Sequence, residues 1–137
     1  MFGEDMDQIR NPNDTITGGI DIHVVFRDSE ARAASTLFDQ FLVFVEENNI
    51  QHNRPLLFSS PVGPWPCPMW QVLLPNSPQL DADLGKCVRW LMINRGDLSV
   101  MIHPNTKVEE GHGGSVEDHS KNTAWLGPPI SLLLNAL

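Results

Sequence analysis

The sequence predicts an α+β domain of the ferredoxin-like type, a βαββαβ sandwich with two helices on one face of an antiparallel sheet and the other face open. Three observations carry that expectation. Apolar and other side chains alternate over Ile20–Phe26 and Leu98–His103, the period of strands with one buried face. Between them lie two apolar stripes at helical spacing, beginning near Ala31 and Asp81. The predicted segments then follow one another as strand, helix, strand, strand, helix, strand.

Residues 1–19 are polar, rich in Asn, Asp and Gly, and include Pro12, which reads as a flexible N-terminal arm or one that covers a neighbouring subunit. Residues 20–137 form the single domain. In the first strand Ile20, Ile22, Val24 and Phe26 share a core face, and Asp21, His23 and Val25 share the other. Asp28 or Ser29 is the expected N-cap of the helix that follows. Its stripe is Ala34, Leu37, Phe38, Phe41, Leu42 and Val45, and Glu46–Asn49 ends it, asparagine tolerating a left-handed exit. Five prolines fall between Ile50 and Pro68. They restrict Arg54–Ser59 to an edge strand and make Pro61–Pro68 a stiff loop suited to the wall of a pocket. Met69–Leu74 is the next strand, stopped by Pro75.

The second helix spans Asp81–Asn94, with Leu84, Cys87, Val88 and Leu91 as its stripe and Gly96 as its terminating glycine. Asp81 and Asp83 at its start and Arg89 near its end suit the helix dipole. In Leu98–His103 the residues Leu98, Val100 and Ile102 take one face, and Ser99, Met101 and His103 the other. Lys107–Lys121 is a long polar loop bearing His112 and His119, a candidate lid or functional loop. Trp125–Pro129 and the apolar tail Ile130–Leu134 are expected to pack back as a further edge strand.

Composition narrows the function. A chain of 137 residues with 41% hydrophobic and 19% charged residues is one globular domain. A net charge of −8, with no run of Lys or Arg, argues against nucleic acid or an anionic membrane as partner. A small neutral or weakly charged ligand fits better. No secretory leader and no apolar stretch near the length of a membrane span are visible, so Cys67 and Cys87 are expected as reduced thiols in a cytoplasmic protein. Their spacing matches no zinc or redox motif.

The residues with chemistry gather on the open face. Asp21 and His23 sit at the spacing at which a carboxylate and an imidazole share a metal ion or a proton, and His103 adds a second imidazole opposite an apolar face. The proline loop and the tail would roof a pocket there. Trp65, Met69, Trp70, Val25 and Met101 are its candidate ligand contacts, large apolar surfaces suited to a flat aromatic or conjugated molecule. Trp65 is expected to be exposed on its loop, and Trp90 and Trp125 to be core. His52 and His112 are expected to be solvated, and Glu109, Glu110 and Glu117 to form a solvated face.

With Asp21–Phe26, Val62-Gly63-Pro64-Trp65-Pro66, Asn94-Arg95-Gly96-Asp97-Leu98-Ser99, Ile102-His103-Pro104 and Asp118-His119 in view, the chain resembles the DOPA 4,5-dioxygenase family of small extradiol ring-cleaving enzymes. The resemblance spans about residues 18–133. It implies a ferredoxin-like, often dimeric domain using non-haem iron, oxygen and a catechol. His103 and His119 match the family's two later histidines. Elsewhere the chain departs: the first strand of the family resembles His-x-His followed by Val-Tyr-Phe, and here Asp21 stands for the first histidine and Val25 for the tyrosine. The family's proline loop resembles Gly-Pro-His-Pro, and here Trp65 replaces the histidine.

Two chemical readings follow, and the first of them is favoured. It is metal-independent: Asp21 and His23 act as an acid–base couple, while His103 and His119 polarise a carbonyl or stabilise an enolate, for isomerisation or cyclisation of an aromatic, enolic or polyene substrate of secondary metabolism, with no cofactor. In the alternative, Asp21 and His23 with His103 or His119 hold Fe(II) for ring cleavage of a catechol. Trp65 speaks against it, because an indole offers iron no lone pair. A non-catalytic binding module is the third class. A homodimer is expected from the family and from the apolar tail.

Overall fold

The computed structural model describes residues 9–107 and 115–137. Within the stretch expected as an arm, residues 1–8 lie outside the described residues. Pro12–Thr15 form a helical turn, α1, and Ile16 packs against the core. Gly18 N donates to Asn105 O at 3.0 Å and Asn105 N to Gly19 O at 3.0 Å. This part of the chain is therefore tied to the sheet.

Strand β1, Ile20–Val25, follows. The expected cap at Asp28 or Ser29 is not formed. Asp28–Glu30 instead make a single 3₁₀ turn, in which Glu30 Oε1 accepts the Arg27 N–H at 2.9 Å. Helix α2 runs Ala31–Glu47 and leaves through Asn49 at φ 54°, the left-handed exit. Strand β2, Asn53–Phe58, lies at the sheet edge, with Pro55 where a missing donor costs least. Strand β3 is Met69–Leu74 and helix α3 is Leu80–Asn94; Gly96 turns the chain at φ 61° into strand β4, Ser99–Pro104.

The sheet order is β2-β3-β1-β4, the ferredoxin-like α+β arrangement, extended at the β4 edge by β5, Ala124–Leu126. The added strand is thus 124–126 and not the tail at 130–134. Ile130 and Leu132 of the tail lie over the open face, and Leu133 N donates to Pro64 O at 2.7 Å, fastening the tail to the proline loop.

Strand parity divides the molecule. Ile20, Ile22, Val24, Trp70, Val72, Leu74, Val100 and Ile102 turn toward α2 and α3 and form the main core with Leu37, Phe41, Cys87 and Leu91. Burial pushes the Cys87 thiol up to about 12, with the nearby Asp83 carboxylate adding to the effect, so this cysteine is an unreactive packing group. On the open face, β1 is antiparallel to both neighbours, and its pairing places Asp21 opposite His103, His23 opposite Met101 and Val25 opposite Met69.

Candidate active site

Asp21, His23, His103 and His119 converge on the open face, and all are buried. β1 supplies the first two and β4 the third. The turn that follows residue 115 swings His119 over the end of β4. His23 Nε2 lies 3.1 Å from His103 Nε2, and Asp21 Oδ2 lies 3.6 Å from the same His103 nitrogen. The His23 and His103 rings stack with centroids 5.1 Å apart, and the His119 ring lies tilted against that of His103 at 4.1 Å.

The hydrogen bonds fix two tautomers. A carbonyl only accepts, so His103 Nδ1–H donates to Pro104 O at 3.0 Å and His119 Nδ1–H to Ser115 O at 2.9 Å. In each neutral ring the lone pair is then on Nε2. His23 differs, because its Nδ1 is buried without a hydrogen-bond partner among the described residues. Burial drives the His23 pKa well below its ordinary value, and the neighbouring His103 and His119 push it the same way. Burial and His103 also lower that of His119, against the opposing pull of the Ser115 carbonyl, Asp21 and Asp118. Neutral rings follow at pH 7 for these two.

These donors fit a metal ion. Ligand atoms of Asp21, His23 and His103 all lie within 4.8 Å of one another. Two nitrogens bound about 2.1 Å from one ion at a right angle stand roughly 3 Å apart, close to the separation of the two Nε2 atoms. Two imidazoles and one carboxylate are the donor set of non-haem ferrous sites. The Nδ1–H of His103 is anchored on a carbonyl, the usual outer contact of a metal-bound histidine.

Beside the polar cluster, Val25, Trp65, Met69 and Met101 form one buried apolar group, flanked by Phe58, Trp125, Ile130 and Leu132. Four of the five expected ligand contacts thus lie together. The fifth does not: Trp70 is on the opposite face, fully buried, its Nε1–H donating to Ala34 O at 3.0 Å between Phe38 and Phe41. Neighbours on a strand cannot share a face, so Met69 and Trp70 were never both available.

Trp65 also departs from expectation. It is only 4% exposed, its ring 4.2 Å from that of His23 and 6.1 Å, edge-on, from that of His119. Its loop is pinned by the Leu133–Pro64 bond. His52 is half-buried and only partly solvated, its Nδ1–H donating to Ile50 O at 2.8 Å. Trp90 packs on Phe41 and Phe44 as core, whereas Trp125 flanks the open-face cluster. Glu117 is a surface residue 3.6 Å from Arg10; His112, Glu109 and Glu110 lie outside the described residues.

Two residues were missed. Asn105 Nδ2 donates to Asp21 Oδ2 at 2.9 Å and so orients the carboxylate, and Asp118 organises the His119 turn. For Asn105 the sequence signal was its position two residues from His103; Asp118 stood in the Asp118-His119 motif but was given no role.

Comparison with known proteins bears on the family and the fold. The chain is 32% identical over 124 residues to an uncharacterised 21.2 kDa protein of Botryotinia fuckeliana, covering 88% of this chain and 63% of that one. It is 31% identical over 74 residues to DOPA 4,5-dioxygenase of Amanita muscaria, covering 54% of this chain and 28% of the enzyme. This chain thus spans less than two thirds of either curated relative. Among solved structures, a Nostoc punctiforme protein proposed to be a dioxygenase superposes with a TM-score of 0.70 at 30% identity, covering 93% of this chain and 96% of that one. The model of the Dopa 4,5-dioxygenase family matches residues 20–136, and the chain belongs to that family.

Proposed function

We propose that this chain is a ferrous-iron oxygenase acting on an aromatic diol of the catechol type, with Asp21, His23 and His103 holding the ion. One observation carries the reading: three buried donor atoms of the two-histidine, one-carboxylate type lie within 4.8 Å of one another. When bound, ferrous iron supplies the redox chemistry that brings oxygen to an electron-rich ring. The remaining work falls to the chain's own groups. Asp21 offsets part of the ion's charge and is kept in orientation by Asn105. His119, with its Nε2 lone pair beside His103, takes a hydroxyl proton from the substrate. Trp65 and the methionines offer an apolar wall to the ring and keep water from the donors.

This ordering reverses the preference drawn from sequence. The metal-free rearrangement is kept as the second reading because a separate observation favours it. With His103 Nε2 as acceptor, neutral His23 donates from its own Nε2 and holds a lone pair on a buried Nδ1 that has no partner among the described residues. A base poised in that way suits proton abstraction from an enolisable or polyene substrate.

The deciding experiment is elemental analysis of protein purified without chelator, before and after anaerobic loading with ferrous iron, followed by oxygen uptake on a catechol panel. About one iron per chain with catechol-dependent oxygen uptake is expected. Failure to retain iron after loading overturns the proposal, and turnover of a conjugated substrate without oxygen or metal establishes the second reading.

A further inference from the structure

Among the described residues the open-face site contains two buried carboxylates, and the proposed function uses only Asp21. The other, Asp118, is 1% exposed. Its Oδ2 accepts the Thr106 N–H at 2.9 Å, and the Thr106 hydroxyl lies 2.8 Å from Oδ1 and 3.0 Å from Oδ2. Asn122 Nδ2 donates to Oδ1 at 3.0 Å, and the Asp118 N–H itself donates to Ser115 Oγ at 3.1 Å. Every one of these partners is local scaffolding. The oxygens are committed to donors, so Asp118 is neither a free base nor a spare ligand.

The placement of these bonds gives them a purpose. Thr106 lies three residues beyond His103, just past the end of β4, and Asp118 immediately precedes His119. The carboxylate therefore joins the strand that carries one site histidine to the turn that carries another. Within that turn Ser115 has two tasks. Its hydroxyl accepts the Asp118 N–H, and its carbonyl accepts both His119 Nδ1–H at 2.9 Å and His119 N–H at 3.2 Å. The tautomer of His119 and its tilted ring contact with His103, centroids 4.1 Å apart, thus depend on a turn held by one buried carboxylate.

We propose that Asp118, acting through Thr106, is a positioning residue that holds the His119 imidazole against His103 with the Nε2 lone pair turned to the site. The inference rests on the reading of His119 as a site residue. Alanine removes the carboxylate altogether, so the Thr106 N–H, the Thr106 hydroxyl and the Asn122 amide all lose their acceptor in a part-buried place.

The test reads the ring nitrogens of the histidines by two-bond ¹⁵N–¹H NMR in the metal-free full chain. The variants are Asp118→Ala, Thr106→Val and Thr106→Ser. In the first two, His119 is expected to lose its single Nδ1–H tautomer and become an exchanging mixture. His103 should keep its tautomer, since Pro104 O holds it independently, and Thr106→Ser should match the parent. An unchanged His119 pattern in folded Asp118→Ala overturns the proposal; if that variant does not fold, Thr106→Val against Thr106→Ser decides it. The readout is a tautomer and not turnover, so failure of this inference and failure of the oxygenase reading are told apart.

Discussion

Asp21 and His103 face each other across β1 and β4, with Asp21 Oδ2 3.6 Å from His103 Nε2. Antiparallel pairing creates the contact: the two residues are a cross-strand pair in the centre of the sheet, where neither strand can slip by one residue without turning its own apolar set away from the core. The backbone is therefore preorganised, and side-chain orientation is what remains to be set.

Asn105 sets it for Asp21. Asn105→Ala removes the donor at 2.9 Å from a carboxylate that stays buried. Stability should fall by about 1–2 kcal/mol in chemical denaturation. Ferrous affinity, measured by competition with a chelator, should fall roughly 10–100-fold, the range for losing an outer-sphere partner. Unaltered affinity would show that Asp21 needs no orienting or is not a ligand.

The two open questions about tryptophan separate by face. Trp70→Ala should cost about 3–5 kcal/mol, because a fully buried indole and its bond to Ala34 O are lost from the helix-side core. Measured well below the melting transition, metal stoichiometry should not change. A loss of metal in the folded variant would mean that the two faces are coupled through the sheet.

Trp65→Ala should behave differently. The indole covers His23 at 4.2 Å, so its removal opens the donors to water. Chelator should strip a bound ion faster than from the parent, with a stability loss of about 3–5 kcal/mol at most, since the tail and proline loop can partly collapse into the gap. Stripping rates equal to the parent's would assign Trp65 to packing alone.

These contrasts also show what can be read before folding. The alternation through Asp21, His23 and Val25 was legible because a period of two separates faces without reference to the rest of the chain. So was the order of elements, and with it the sheet that brings His103 beside Asp21. The same parity rules out Trp70 as a site residue once Met69 is placed there. Burial of Trp65 was not legible. It depends on residues 130–133 crossing the open face, a contact between segments nearly seventy positions apart. Asn105 escaped for a related reason: it is a loop polar residue whose partner Asp21 lies 84 positions away, whereas Asp118 escaped because its bonds depend on the local turn that joins it to Thr106 and Asn122. The N-cap failed because Glu30 closes a 3₁₀ turn on the Arg27 N–H before the α-helix begins.

The buried imidazoles make a prediction about acid. Burial, reinforced by the other histidines of the cluster, lowers the pKa values of His23 and His119 in the folded, metal-free chain below about 6.5, the value of an unfolded histidine. Below that pH the unfolded chain binds protons that the native chain refuses, so unfolding takes up protons and stability rises with pH. The contribution is fully present above about pH 6.5 and is lost as pH falls from there toward the folded values, at up to about 1.4 kcal/mol per pH unit for each ring. Asp118 adds a later phase. Its carboxyl is depressed by its bonds to Thr106, Asn122 and Ser115 in spite of burial, so its share persists through this range and is lost only below the ordinary carboxylate pKa. Denaturant titrations of metal-free protein between pH 7.5 and 5 should show the first slope, and His119→Gln should reduce it by the share of one ring. A flat profile over that interval would mean that the native state accepts protons on the cluster, and that the rings are not held neutral by burial.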